Sequence, residues 1–130
     1  MKRPSKQAKR QHQKAGQDAE ALAATWLEMQ GYQILHTNFR CRHGEIDVVA
    51  QDGEHLAFVE VRSLQNSSDP DRALATILPK KQQRLYQAAR FYLYKHRPND
   101  DPPIRFDLLG ITFARNGELH FKLLKGGFEM

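Results

Sequence analysis

Two short segments of the chain gather acidic side chains at a spacing that chemistry could use: Gly44-Glu45-Ile46-Asp47-Val48-Val49 and Phe58-Val59-Glu60-Val61-Arg62. Both have strand composition, and in a strand residues two apart share a face. Glu45, Asp47 and Val49 then point one way, and Ile46, Val48 and Ala50 the other. On the next strand Phe58, Glu60 and Arg62 share a face, with Ala57, Val59 and Val61 opposite. If the Asp52-Gly53 turn pairs the two strands, Glu45, Asp47, Glu60 and Arg62 meet at one end, with Val49 and Phe58 beneath them. Like charges held this close raise one another's pKa and destabilise a sheet unless a cation joins them. A hard divalent ion, Mg²⁺ or Mn²⁺, prefers such oxygens, keeps several waters and can polarise a phosphodiester. The same residues also read as an ion-pair network in which Arg62 neutralises Glu60 or Asp47, and spacing alone leaves both readings open.

The elements that must position these groups are legible from periodicity. Ala19, Leu22, Ala23, Trp26 and Met29 or Gln30 recur at helical spacing from Gln17 to Gln30, and Gly31 supplies the stop. Tyr32 to Phe39, Glu45 to Ala50 and Leu56 to Arg62 read as strands of a meander, and Asn66 to Pro70 as a loop. Pro79 can open a helix running to about Lys95, and Ile104 to Ile111 and Leu119 to Leu124 are two further strands. In that second helix Lys80, Lys81, Arg84, Arg90 and Lys95 occur without one acid. Lys80, Arg84 and Lys95 fall in one narrow sector, while Leu85, Ala89 and Tyr92 lie on another side. A basic face of this kind is either solvated surface or a track for a phosphate backbone.

The chain has 130 residues, enough for one domain and short of two. Apolar residues are 40% and charged residues 27%, which excludes collagen-like, coiled-coil and wholly disordered classes. No stretch approaches the ~18 apolar residues of a membrane span, and no signal-peptide core opens the chain, so a cytoplasmic protein without a membrane partner is expected. The lone Cys41 cannot form an internal disulfide. Residues 1–14 hold six Lys or Arg and no acid, so of the net +5 they carry +6 and leave −1 for the rest. That basic arm has too little apolar surface to offset ordering entropy and reads as disordered in isolation, preceding a domain over 15–130. It suits either phosphate contact or simple solubility. His36, Cys41 and His43 lack the further ligand a zinc site needs. Tyr86, Phe91, Tyr92 and Tyr94 could stack on bases or fill a core. No nucleotide-binding glycine loop and no Ser/His/Asp arrangement is present.

The paired acidic motifs, together with Gly16-Gln17-Asp18-Ala19-Glu20, Gly31-Tyr32, Asn38-Phe39-Arg40-Cys41-Arg42, Lys81-Gln82 and Arg105-Phe106-Asp107, resemble the bacterial YraN family of predicted endonucleases over roughly residues 16–110. That family is similar to Holliday-junction resolvases and restriction-type nucleases. The resemblance implies an α/β, restriction-endonuclease-like three-layer fold, with a central mixed sheet flanked by a helix carrying Glu20 and by the basic helix. It implies a Mg²⁺- or Mn²⁺-dependent endonuclease for structured or branched DNA, with a non-catalytic nucleic-acid-binding protein as the alternative. Glu20 would match the helix acid, Asp47 the strand Asp, and Glu60 and Arg62 the Glu-x-Lys, so these four form the expected catalytic set. Glu45 joins Glu20, Asp47 and Glu60 as an expected metal ligand, although an ion pair with Arg40 or Arg42 would also account for it. Lys80, Lys81, Arg84, Lys95, Arg40 and Arg42 are the expected nucleic-acid contacts, and a homodimer is compatible with the sequence. Arg62 departs from the lysine of the nuclease pattern. Arginine keeps its proton, so it could stabilise developing charge but could not act as a base.

If the arm touches phosphates, deleting residues 1–14 should weaken DNA binding without sequence bias. It should also flatten the dependence of log affinity on log salt by about 0.9 for each phosphate that the arm neutralises. An unchanged slope would make the arm a solubility feature.

Overall fold

The computed structural model describes residues 19–128; the basic arm, and the part of the first helix expected before Ala19, lie outside the described residues. The chain is helical over 19–29 (α1) and then forms β1 (Gln33–Cys41), β2 (Gly44–Asp52) and β3 (His55–Gln65). A short α2 (Pro70–Leu74) and a long α3 (Pro79–His96) lead to β4 (Ile104–Phe113) and β5 (Leu119–Leu124). The five strands form one sheet in the order β1-β2-β3-β4-β5. All neighbours are antiparallel except β3 and β4, which run parallel in unbroken register from Leu56↔Ile104 to Gln65↔Phe113. A parallel pair requires a crossover, and α2 with α3 provides it. The mixed sheet expected from the sequence is therefore present.

Helices cover both faces, giving three layers. On one face Ala23 and Leu27 of α1 pack on Val48, Ala50, Ala57, Val59, Leu109 and Ile111. On the other, Leu85, Ala88, Ala89 and Tyr92 of α3 pack on Ile46, Val49, Leu56, Phe58 and Phe106. The inward stripe of α3 is the expected one. That of α1 is shifted: Ala19, Ala23 and Leu27 are buried, whereas Met29 is 74% exposed. Leu27 follows Ala23 at the i, i+4 spacing, which keeps the two on one face of the helix, and Trp26 beside it stacks on Phe121 with ring centroids 5.1 Å apart. At the helix end Gly31 adopts φ +97, and the Tyr32 and Gly31 N–H groups donate back to the Leu27 and Glu28 carbonyls. This Schellman closure needs the left-handed conformation that glycine adopts freely.

α2 is a second departure, because the composition of residues 66–70 predicts only loop there. Asp69 caps it by accepting the Asp71 N–H at 3.1 Å, and Pro70 occupies its first turn, so the start signal lies within the loop composition itself. The helix lies directly on Gly110 of β4: a Cβ there would stand 2.7 Å from the Pro70 carbonyl oxygen and 3.1 Å from Leu74 Cγ.

The Arg105-Phe106-Asp107 segment ties four elements together. Asp107 is fully buried and receives both Arg105 Nε, at 2.7 Å, and Nη2, at 2.9 Å. It also accepts the Tyr32 hydroxyl at 2.7 Å and the Gly126 N–H at 2.9 Å. Arg105 Nη2 reaches on to Asp52 at 2.7 Å, which Lys125 also contacts, and these donors hold the Asp52 carboxyl below its usual range. Burial, followed by the Asp107 carboxylate, pushes the Tyr32 phenol up, so it stays a donor at any ordinary pH. This network pins the end of α1, the β2–β3 turn, β4 and the segment after β5 to one another. Removing one partner of a buried ion pair leaves a charge uncompensated, so Asp107→Ala should lower unfolding free energy by about 3–5 kcal/mol. Urea denaturation checks this; a loss under about 1 kcal/mol would show that the network holds little.

Candidate functional site

β2 and β3 pair from Asp52↔His55 to Val48↔Val59. Beyond that point the ladder gives way. The Val61 N–H donates to the Asp47 side chain, to Oδ2 at 2.8 Å, so a carboxylate takes a bond that strand carbonyls supply elsewhere. The strict alternation expected along β2 fails at the same place. Ile46 joins Val49 in the core under α3, whereas Val48 and Ala50 face α1. β1 is irregular alongside, with a register shift between Ile34 and His36 and a positive φ of 54 at Asn38. The alternation of β3 holds.

The divergence opens a cavity of about 450 Å³ at this end of the sheet. Glu45, Asp47, Glu60 and Arg62 line it, as the strand pairing implied, and Lys80, Lys81 and Arg84 of α3 form its other wall. Glu60 is 1% exposed. Lys81 Nζ stands 2.8 Å from Glu60 Oε1 but outside hydrogen-bond geometry, so that buried oxygen retains an unused acceptor direction. Arg62 is farther from Glu60, at 3.8 Å. Its Nε instead donates to Thr76 Oγ1 at 2.7 Å, and the Thr76 hydroxyl donates in turn to the Ala73 carbonyl at 2.7 Å. Arg62 is thus strapped to the segment between α2 and α3, and the cation nearest to Glu60 comes from α3. The sequence predicts Lys81 only as a phosphate contact. Its pairing with Glu60 leaves no mark in sequence spacing, although its place just inside a Pro79-initiated helix is legible. Nothing in the sequence marks Thr76.

Glu20 approaches from α1. One carboxylate oxygen from each of Glu20, Glu45 and Asp47 lies within 4.8 Å of the others. Glu60 stands outside this trio, behind Asp47 and against Lys81. Glu45 also pairs with Arg40 at 3.6 Å, the ion pair expected as its other account. Arg40, Arg42 and Lys95 do not line the cavity; Arg42 is an exposed neighbour of His43, and Lys95 lies in the last turn of α3.

The electrostatics follow from burial. Desolvation, then repulsion from Glu60, raises Asp47 to about 8, against the bond from Val61. Burial also raises Glu20, with Asn38 pulling it down and Glu45 pushing it up. A divalent cation would reverse both penalties. Hard oxygen donors suit such an ion, and Glu20, Glu45 and Asp47, already gathered within 4.8 Å of one another, would hold one by drawing their oxygens closer together. The residues present therefore fit Mg²⁺ or Mn²⁺.

A carboxyl whose native pKa lies above its unfolded value stabilises the fold only while it keeps its proton. In EDTA the melting temperature should fall as pH rises from about 4 to about 8, and Asp47→Asn should flatten that slope, leaving the smaller share that Glu20 contributes. The variant should melt higher than wild type at pH 8, by about 4 °C for each kcal/mol relieved. A wild-type melting temperature that is flat or rising over this window would show Asp47 ionised in the native protein.

Comparison with known proteins places this geometry in a family. The profile of UPF0102, an uncharacterised protein family, matches residues 19–111, which contain every residue of the cavity. A UPF0102 protein of Coxiella burnetii is 45% identical over 103 residues, 79% of this chain and 85% of the relative. One of Alcanivorax borkumensis is 44% identical over 102 residues, 78% and 81% of the two chains. One of Syntrophus aciditrophicus is 38% identical over 120 residues, 92% of each. The chain belongs to UPF0102, the YraN family.

Proposed function

We propose that this protein is a Mg²⁺- or Mn²⁺-dependent endonuclease acting on structured or branched DNA. The observation that carries the reading is the gathering of the Glu20, Glu45 and Asp47 carboxylates, with Asp47 half-buried beside Glu60, in a cavity whose opposite wall is cationic. Acids crowded at such a cost in stability are what a metal-assisted site requires. Glu20, Glu45 and Asp47 would hold the ion, with Glu60 Oε1 able to join them. When bound, the ion supplies polarisation of a phosphodiester and activation of water.

The chain's own residues do the rest. Lys80 and Arg84 seat the phosphate backbone at the rim of the cavity. Lys81 keeps a positive charge against Glu60 while its exposed side remains open to a phosphate oxygen. Arg62 keeps its proton, and its link to Thr76 fixes the direction of the guanidinium, so it orients and neutralises charge but accepts no proton. DNA is the proposed partner and the cytoplasm the proposed compartment. The resemblance to resolvases directs the choice of branched substrates, to which a homodimer would present two sites. Among the described residues no helix is long and apolar enough to cross a membrane.

A second reading rests on Arg62 itself: with arginine strapped to Thr76 where nucleases carry lysine, the protein binds DNA without cutting it. Mn²⁺ titration on linear, flapped and four-way DNA separates the two. Cleavage by wild type that Asp47→Ala abolishes is the expected result, with Arg62→Ala slower by about 100- to 1000-fold and Arg62→Lys active. Cleavage only in Arg62→Lys, or none with DNA binding intact, would establish the second reading.

A further inference from the structure

α3 carries a second concavity that the carboxylate site does not use. It encloses about 400 Å³ and is lined by His43, Gln87, Arg90, Phe91 and Tyr94. The four aromatic side chains of α3 divide sharply. Tyr92 is buried, and Tyr86 packs edge-on against Phe106 with centroids 4.8 Å apart. Phe91 is half-buried, 6.2 Å from the His43 ring and 6.3 Å from Phe39. Tyr94 is 78% exposed and stacks on no other ring among the described residues. Two rings, an imidazole and a guanidinium therefore border one open hollow.

Charge selects the occupant. α3 contains Lys80, Lys81, Arg84, Arg90 and Lys95 with no acid, so its outer face attracts a polyanion. A second copy docking through this face would set like charges against each other. Duplex DNA satisfies the charge but turns its bases inward and offers no ring faces. An unpaired strand offers both, and base stacking on aromatic side chains beside arginine is how proteins hold single strands. The hollow lies next to the carboxylate cavity: His43 borders one, its neighbour Gly44 borders the other, and Gly44 packs close to Arg84. Along the helix, Lys81 to Tyr94 spans about 20 Å, roughly six stacked nucleotide steps.

We infer that Tyr94 and Phe91, with Arg90 and His43, form a stacking site for unpaired bases of a DNA strand that runs along α3 toward the carboxylate cavity. The site rests on the reading of α3 as a nucleic-acid track, and it makes the preferred substrate a DNA with an unpaired arm.

Binding in EDTA tests it without any cleavage. Fluorescence anisotropy of the full chain would compare a labelled 12-mer of thymidylate with a 12-mer of the same backbone lacking bases. Wild type should prefer the oligonucleotide with bases by about 5- to 150-fold, the range for one base stacked on a ring. Tyr94→Ala should lose most of that preference while binding the abasic strand within about 2-fold of wild type. Tyr94→Phe should keep it, and Arg84→Gln should weaken both ligands alike. Equal affinity of wild type for the two strands would overturn the inference, as would a Tyr94→Ala loss that is the same for both. So would a Tyr94→Ala shift in oligomeric state without a change in binding, which would assign the face to self-association. A protein that stacks bases but never cuts would leave this site standing and remove the endonuclease reading. Cleavage that ignores Tyr94→Ala, from a wild type blind to bases, would do the reverse.

Discussion

Two carboxylates, Asp47 and Glu60, are held side by side under the end of a sheet, and much of the surrounding structure answers to that placement. Charged together in a dry environment they repel by several kcal/mol, so one retains a proton or a cation must stand beside them. Three devices address this in the chain as it is. The Val61 N–H turns toward Asp47, Lys81 reaches in from α3 to Glu60, and Arg62 approaches more distantly. Each has a structural consequence. The first parts β2 from β3 and opens the cavity, the second ties α3 to β3, and the third ties β3 to the segment after α2. What stabilises the acids is also what shapes the space they face.

Most of the fold is legible in the sequence because strand and helix periods are local properties. The alternation of Ala57 to Arg62 and the stripe of Leu85, Ala89 and Tyr92 both hold in the structure. The failures have equally specific causes. Ile46 lies one residue before the carboxylate that breaks the ladder, and no propensity scale contains a side chain competing for a backbone N–H. Met29 fits the helical repeat as well as Leu27 does; only the packing of α1 on the sheet, where Leu27 joins residues as distant in sequence as Leu109 and Ile111, distinguishes them. α2 is too short for a period to declare itself, and its cap residues look like those of a turn.

The candidate site divides along the same line. Glu45, Asp47, Glu60 and Arg62 belong to one hairpin, so the turn brings them to the same end, although the parity of β2 does not hold there. Glu20 enters through family resemblance, and only the packing of α1 brings it within reach of Glu45 and Asp47. The pairing of Lys81 with Glu60 and the strap from Arg62 to Thr76 depend on the crossover between two parallel strands. Nothing in the spacing of those residues encodes either. Arg105 and Asp107, which have the residue types of an active site, prove to be the mortar between four elements at the opposite end of the hairpin.

Gly110 links the centre of the sheet to the candidate site by pure geometry. Its bare α-carbon lets α2 sit against β4, α2 carries the chain on to Thr76, and Thr76 holds the guanidinium of Arg62. The aim of that guanidinium is thus inherited from a missing methyl group on the neighbouring strand. A side chain at position 110 would displace α2, so that position, with no chemistry of its own, is as constrained as the acids whose surroundings it sets.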